Sequence, residues 1–144
     1  MGLVSGGLNP ESRLADEHAI RAYESIKKSH TDFINVARHT GFSIEQIQIV
    51  KHYLFRSIHI MSYKTGSFDP DYAIAESWRR LSSKDGKNIQ KHDVLLIYHE
   101  LYEIELLLRN QNMTQQEAHN LAEQKYNYGL AVKRFYSGQK FRTY

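Results

Sequence analysis

His92, His99, Glu100 and Glu103 lie close together in a segment otherwise rich in leucine and isoleucine. At about 100° per residue, a helix places His92, Leu96, His99 and Glu103 on one narrow face. Leu95 and Leu106 flank that face, and Glu100 sits to one side near Leu107. Histidine titrates near neutral pH and a carboxylate can orient its ring, so these residue types suit proton transfer. Burying them is costly unless each finds a partner, and leucine would serve stability better. In the alternative reading, each histidine donates to a backbone carbonyl or to Glu103 and simply ties helices together.

The run His99-Glu100-Leu101-Tyr102-Glu103 also invites comparison with the His-Glu-x-x-His segment of zinc peptidases. There, two histidines one helical turn apart hold the metal and the glutamate is the general base. Here Glu103 replaces the second histidine, and His92, His59 or His119 could complete a site, since carboxylates also bind zinc. Short matches of this kind are common by chance on acidic helices. His52 and His59 stand two helical turns apart if their helix continues past Phe55, and His119 shares a face with Ala122 and Tyr126. His18, His30 and His39 read as surface or packing residues.

A second chemical signal lies at the C-terminal end. Lys125, Lys133, Arg134, Lys140 and Arg142 alternate with Tyr126, Tyr128, Phe135, Tyr136, Phe141 and Tyr144, with no acid among them. The whole chain has a net charge of +3, so the other 124 residues net −2. Cations neutralise phosphates and aromatic faces stack on unpaired bases, which suits nucleic acid. The plainer alternative is a helix that packs its aromatic rings inward and solvates its lysines. Trp78-Arg79-Arg80 adds a second basic site, with Trp78 read as core.

These residues must be positioned by a domain of modest size. The chain has 144 residues, 41% hydrophobic and 24% charged, which fits one globular domain and argues against disorder. The absence of cysteine excludes disulfides, thiolate chemistry and cysteine-ligated zinc. No apolar run approaches the roughly 20 residues needed to span a bilayer. Residues 1–8 read as a linker stub, 9–137 as one helical effector domain and 138–144 as a basic-aromatic tail.

The expected fold is all-α: an irregular bundle of about five to six helices around a central buried helix over about 91–110. Asn9-Pro10-Glu11 reads as the first helix start, with Thr31-Asp32 as a possible restart and Gly41 as a stop. Ser43 to Gln46 resembles a capping box opening a helix that reaches about Phe55. Residues 57–67 suggest a loop with a short β-hairpin. Asp69-Pro70-Asp71 starts a helix ending near Leu81, and 82–90 is a loop. The 91–110 segment is apolar all round and so reads as central. Thr114 to Glu117 opens a last helix running to about Tyr136 despite Gly129.

Several segments together resemble a family. They are Leu8-Asn9-Pro10-Glu11-Ser12, Thr40-Gly41-Phe42-Ser43, Phe68-Asp69-Pro70-Asp71-Tyr72 and Ala75-Glu76-Ser77-Trp78-Arg79-Arg80-Leu81. His92-Asp93, His99-Glu100 with Glu103, Glu117-Ala118-His119 and Lys125-Tyr126-Asn127-Tyr128 complete the set. The chain thereby resembles the C-terminal effector domains of phage minor-head (MuF-like) proteins and secreted bacterial polymorphic toxins. The resemblance implies a toxin made in the bacterial cytoplasm and delivered, within a larger protein, out of the cell or into a target cell. It also implies a cognate immunity protein as partner. It prefers His52, His59, His92, His99, Glu100, Glu103 and His119 as catalytic candidates.

The expected activity is nuclease action, with RNA favoured. His92 and His99 would exchange the protons, Glu103 would orient one of them, and Arg79, Lys125, Lys133 or Arg134 would hold phosphate. That scheme needs no metal, although a divalent-metal variant is a close relative. The alternatives are a zinc metallopeptidase built on His99, Glu100 and Glu103, and a non-catalytic helical module for protein binding or particle assembly.

Overall fold

The computed structural model describes residues 8–138, so Lys140, Phe141, Arg142 and Tyr144 of the tail, and most of the 1–8 stub, lie outside them. Among the described residues the fold is all-α with one short β-hairpin. In order these are α1 (Arg13–Lys28), α2 (Asp32–Thr40), α3 (Ile44–Phe55), β1 (His59–Ile60), β2 (Thr65–Gly66), α4 (Tyr72–Leu81), α5 (Lys91–Arg109), α6 (Gln115–Lys125) and α7 (Tyr128–Tyr136). Among the described residues no helix is long and apolar enough to cross a membrane.

Local chemistry sets most of these boundaries. Ser43 accepts from the Gln46 amide while the Gln46 side chain accepts from the Ser43 amide, so two orphan donors at the start of α3 are satisfied reciprocally. Thr114 and Glu117 do the same for α6. Gly41 ends α2 with φ +82°, a left-handed conformation that glycine adopts without a Cβ penalty. Asp71 caps α4 through the Ile74 amide, whereas Asp69 is drawn away to Lys64 and Tyr63. At the N-terminal end, Ser12 is the cap of α1, and Asn9 folds back to accept from Ser12 instead of opening the helix.

The described residues form seven helices where about five to six were expected, chiefly because the segment after Thr114 is two helices. Asn127 caps α7 through the Leu130 amide and interrupts the helix two residues before Gly129. The α5 pattern also needs correction. Its buried residues are His92, Asp93, Leu96, Ile97, His99, Glu100 and Glu103, while Leu108 is 79% exposed. Hydrophobic periodicity assigns the leucines inward, but paired ionisable groups can occupy the interior, and here they do.

α5 packs against α3, α4, α6 and α7 and so lies at the centre. The main core joins Phe55, Trp78, Leu81, Leu96 and Ile97. Beside it, Asp32 receives both Lys51 Nζ at 2.7 Å and Trp78 Nε1 at 2.9 Å, linking α2, α3 and α4. The hairpin pairs His59 with Gly66 and Ile60 with Thr65.

Candidate functional site

The side chains of α5 face two partners, and they divide into two separate clusters. His99 and Glu103, one turn apart, meet His119 and Glu123, also one turn apart, on α6. His99 Nε2 lies 3.3 Å from Glu103 Oε1 and 3.6 Å from Glu100 Oε2. His119 Nδ1 lies 3.2 Å from Glu103 Oε1. His99 Nδ1 faces the Tyr126 carbonyl at 3.0 Å and Glu123 Oε1 at 3.2 Å. A carbonyl can only accept, so Nδ1 carries a proton, and Nε2 is turned toward Glu103 and Glu100. At the break between α6 and α7 that carbonyl also accepts from the Tyr128 amide, so a helix terminus sets the orientation of the ring.

Glu103 gathers donors. Besides the two histidines, Tyr53 Oη from α3 and Gln115 Nε2, at 3.4 Å, both donate to its other oxygen, Oε2. Burial would raise its pKa, but hydrogen bonds from His119, His99 and Tyr53 override that and hold it at about 2. Glu100 goes the other way: burial first, then the charges of Glu103 and Glu123, push it well above the carboxylate range. The cluster thus combines a carboxyl held low, Glu103, with one pushed up, Glu100, next to His99 in the chain. The hydrogen bond to Glu103 raises His119, against the opposing effect of burial.

A cleft of about 280 Å³ opens onto this cluster, with Glu100, Glu103, Gln115 and His119 in its lining. The hairpin forms one wall through Met61, Ser62 and Tyr63, and Tyr23 and Asp71 stand opposite. The His119 side chain is 41% exposed, whereas Glu103 is 1% exposed. Among the described residues no lysine or arginine lines the cleft, and Asp69 in its lining is matched by Lys64. A second cavity of about 240 Å³ reaches His99, Glu100, His119 and Glu123 from the side of α4 and α7.

His92 belongs to the other cluster, so the expected His92–His99 acid-base pair is not brought together. The two residues share a helical face but are seven positions apart, about 10 Å along the axis at 1.5 Å per residue. His92 Nε2 instead accepts from Arg80 Nη2 at 3.2 Å, and Arg80 makes two 2.8 Å bonds to Asp93. Phe135 and Tyr128 of α7 cover the ring. This is the helix-tying role.

His92 has a consequence for stability. Burial lowers its pKa below the ordinary 6.5, helped by Arg80 and opposed by Asp93. Above about pH 6.5 the ring is neutral in both folded and unfolded chains and contributes no pH dependence. Below that, the unfolded chain binds a proton that the folded one resists, so stability falls as the pH drops. The wild type should therefore lose more Tm between pH 7 and pH 5 than His92→Gln does. An equal loss in both would contradict this account. His59, also lowered by burial, remains in the variant, so part of the decline persists.

The other candidates are dispersed. His59 donates to the Tyr53 carbonyl at 3.0 Å and stacks on Phe68 at 3.8 Å, so it buttresses the wall behind Tyr53. His52 faces a separate surface depression with Ile49 and Ile104. Arg79 is paired with Glu76 beside His18, outside the main cleft. Lys125 lies over the Tyr102 and Tyr126 rings, and Lys133 and Arg134 are exposed on α7. Three contributors were not foreseen from the sequence: Tyr53, Gln115 and Glu123. Glu123 was legible, because it follows His119 at the same spacing as Glu103 follows His99. Nothing local marks Tyr53, which reaches Glu103 only through the packing of α3 on α5.

Comparison of the chain with protein-family models, curated proteins and solved structures gives no match.

Proposed function

We propose that the domain is a hydrolytic effector whose active centre is the α5–α6 cluster. One observation carries this reading: a buried carboxylate, Glu103, holds the half-exposed His119 ring at 3.2 Å in the lining of a cleft. A carboxylate-bound imidazole at the edge of a cavity can take a proton from water and return it to a leaving group. Tyr53, His99 and Gln115 fix Glu103, and so fix His119. Among the described residues the cleft has no lysine or arginine in its lining, so it suits an uncharged amide or ester better than a bare phosphodiester. The toxin setting comes from the sequence resemblance alone.

A nuclease is the second reading, favoured by exposed Lys133 and Arg134 on α7. In that case a divalent cation must offset the acidic lining where phosphate would sit.

The test is controlled expression in bacteria of the wild type beside His119→Ala, with circular dichroism to verify folding. Growth arrest in the wild type that disappears in the folded variant supports the assignment. Arrest of equal strength in both removes it, as does absence of arrest together with no hydrolysis by the purified wild type. Total RNA, DNA and protein taken at arrest separate the substrates, and nucleic-acid breakdown would move the assignment to the nuclease.

A further inference from the structure

We propose that His99, Glu100 and Glu103 hold a divalent cation of the zinc class, with His119 at its open side. The site lies within the proposed active centre and deepens the hydrolase reading by naming the group that would activate water there. Three independent features carry it.

The first is spacing. A tetrahedral ion with bonds of about 2.0–2.1 Å sets its ligand atoms roughly 3.3–3.4 Å apart. His99 Nε2 stands 3.3 Å from Glu103 Oε1 and 3.6 Å from Glu100 Oε2, and the three ligand atoms lie within 4.8 Å of one another. Calcium takes six to eight oxygen ligands, so a set of three that includes an imidazole nitrogen disfavours it. One imidazole beside two carboxylates also favours zinc and its neighbours over magnesium.

The second is the orientation of the ligands. His99 donates Nδ1–H to the Tyr126 carbonyl, which turns Nε2 toward the two carboxyls. Metal-bound histidines are commonly held through their other nitrogen in this way. Tyr53 and Gln115 occupy Glu103 Oε2, leaving Oε1 on the side of the histidines. A competing trio, His99 with His119 and Glu123, is also compact, but the Nδ1 that faces Glu123 is already committed to the carbonyl.

The third is Glu100 itself. It is 5% exposed, and no hydrogen bond from the described residues reaches it. Its polar neighbour, His99 Nε2 at 3.6 Å, is beyond hydrogen-bond length. Its oxygens are not sealed within the fold, so the carboxylate is available to a cation that enters from either cavity. Glu100 and His119 line both cavities, so the position is open to an ion and to water.

The experiment is calorimetric titration of the chelator-stripped full chain with zinc chloride, with bound metal counted by elemental analysis. One zinc per chain and a raised Tm are expected, with no comparable response to calcium. Glu103→Gln and Glu100→Gln should each weaken zinc at least tenfold. His30→Ala, which removes an exposed histidine far along the sequence on the α1–α2 connection, should bind as the wild type does. Should Glu103→Gln fail to fold, Glu100→Gln decides, because Glu100 carries none of the hydrogen bonds that tie Glu103 to α3 and α6. Absence of binding, unchanged affinity in Glu100→Gln, or loss of binding in His30→Ala overturns the site. Zinc binding without hydrolysis would keep the site and remove the hydrolase, whereas hydrolysis in a chain that binds no zinc would do the reverse.

Discussion

Asp93→Ala is expected to destabilise the fold by about 3–5 kcal/mol. Arg80 and Asp93 are 2% and 0% exposed, and their two 2.8 Å bonds form a bidentate pair between α4 and α5. Asp93 Oδ2 also accepts from the Gln90 amide at 2.8 Å, so the same carboxylate caps α5. Removing it leaves a guanidinium buried against Phe135 and His92 with its main counter-charge gone. Domains of this kind have a total stability of about 5–15 kcal/mol, so the loss is a large fraction of the whole. The measurement is urea unfolding, where the midpoint should fall with an unchanged slope. A loss below about 1 kcal/mol would show that water or rearrangement replaces the pair. Replacing both partners, as Arg80→Met with Asp93→Leu, should recover most of the loss, because no uncompensated charge remains.

Glu103→Gln should lower hydrolysis by a factor of about 10²–10⁴, the range typical of removing positioned acid-base catalysis. Four donors converge on this carboxylate: Tyr53, His99, His119 and Gln115. An amide has one accepting oxygen, so its NH₂ must turn toward groups that also donate. His119 then loses the anion that orients its ring and raises its pKa. Turnover of the purified variant, normalised to folded protein by circular dichroism, is the readout. Retention of more than about a tenth of wild-type turnover would place the chemistry elsewhere. Together with the His119→Ala expression test, this separates a reacting pair from a merely structural cluster, which would change stability and leave turnover intact.

The two clusters on α5 explain why part of the site was legible and part was not. His99, Glu100 and Glu103 lie within one turn of a single helix, so their proximity follows from helical geometry alone. His92 falls on the same face in projection, but projection discards the rise along the axis. Two turns of separation put it beside Arg80, and the histidine that meets Glu103 from outside α5 is His119 on the next helix. Arg79 shows a related limit: its basicity is evident in the sequence, but Glu76 claims it one turn away.

The sequence by itself determined the helical class, the short hairpin and most helix starts. Ser43 with Gln46, Thr114 with Glu117, Gly41 and Asp71 all act on backbone groups within a few residues, where chain connectivity guarantees the contact. It also determined that α5 would carry an unusual load of ionisable groups. Only the tertiary structure decided which of them meet. The approach of Tyr53 from α3, the turn of α6 that brings His119 to Glu103, and the Tyr126 carbonyl that orients His99 all join residues separated by 16 to 50 positions. Such contacts depend on helix packing across the core, and no local spacing rule encodes the angle at which two helices cross.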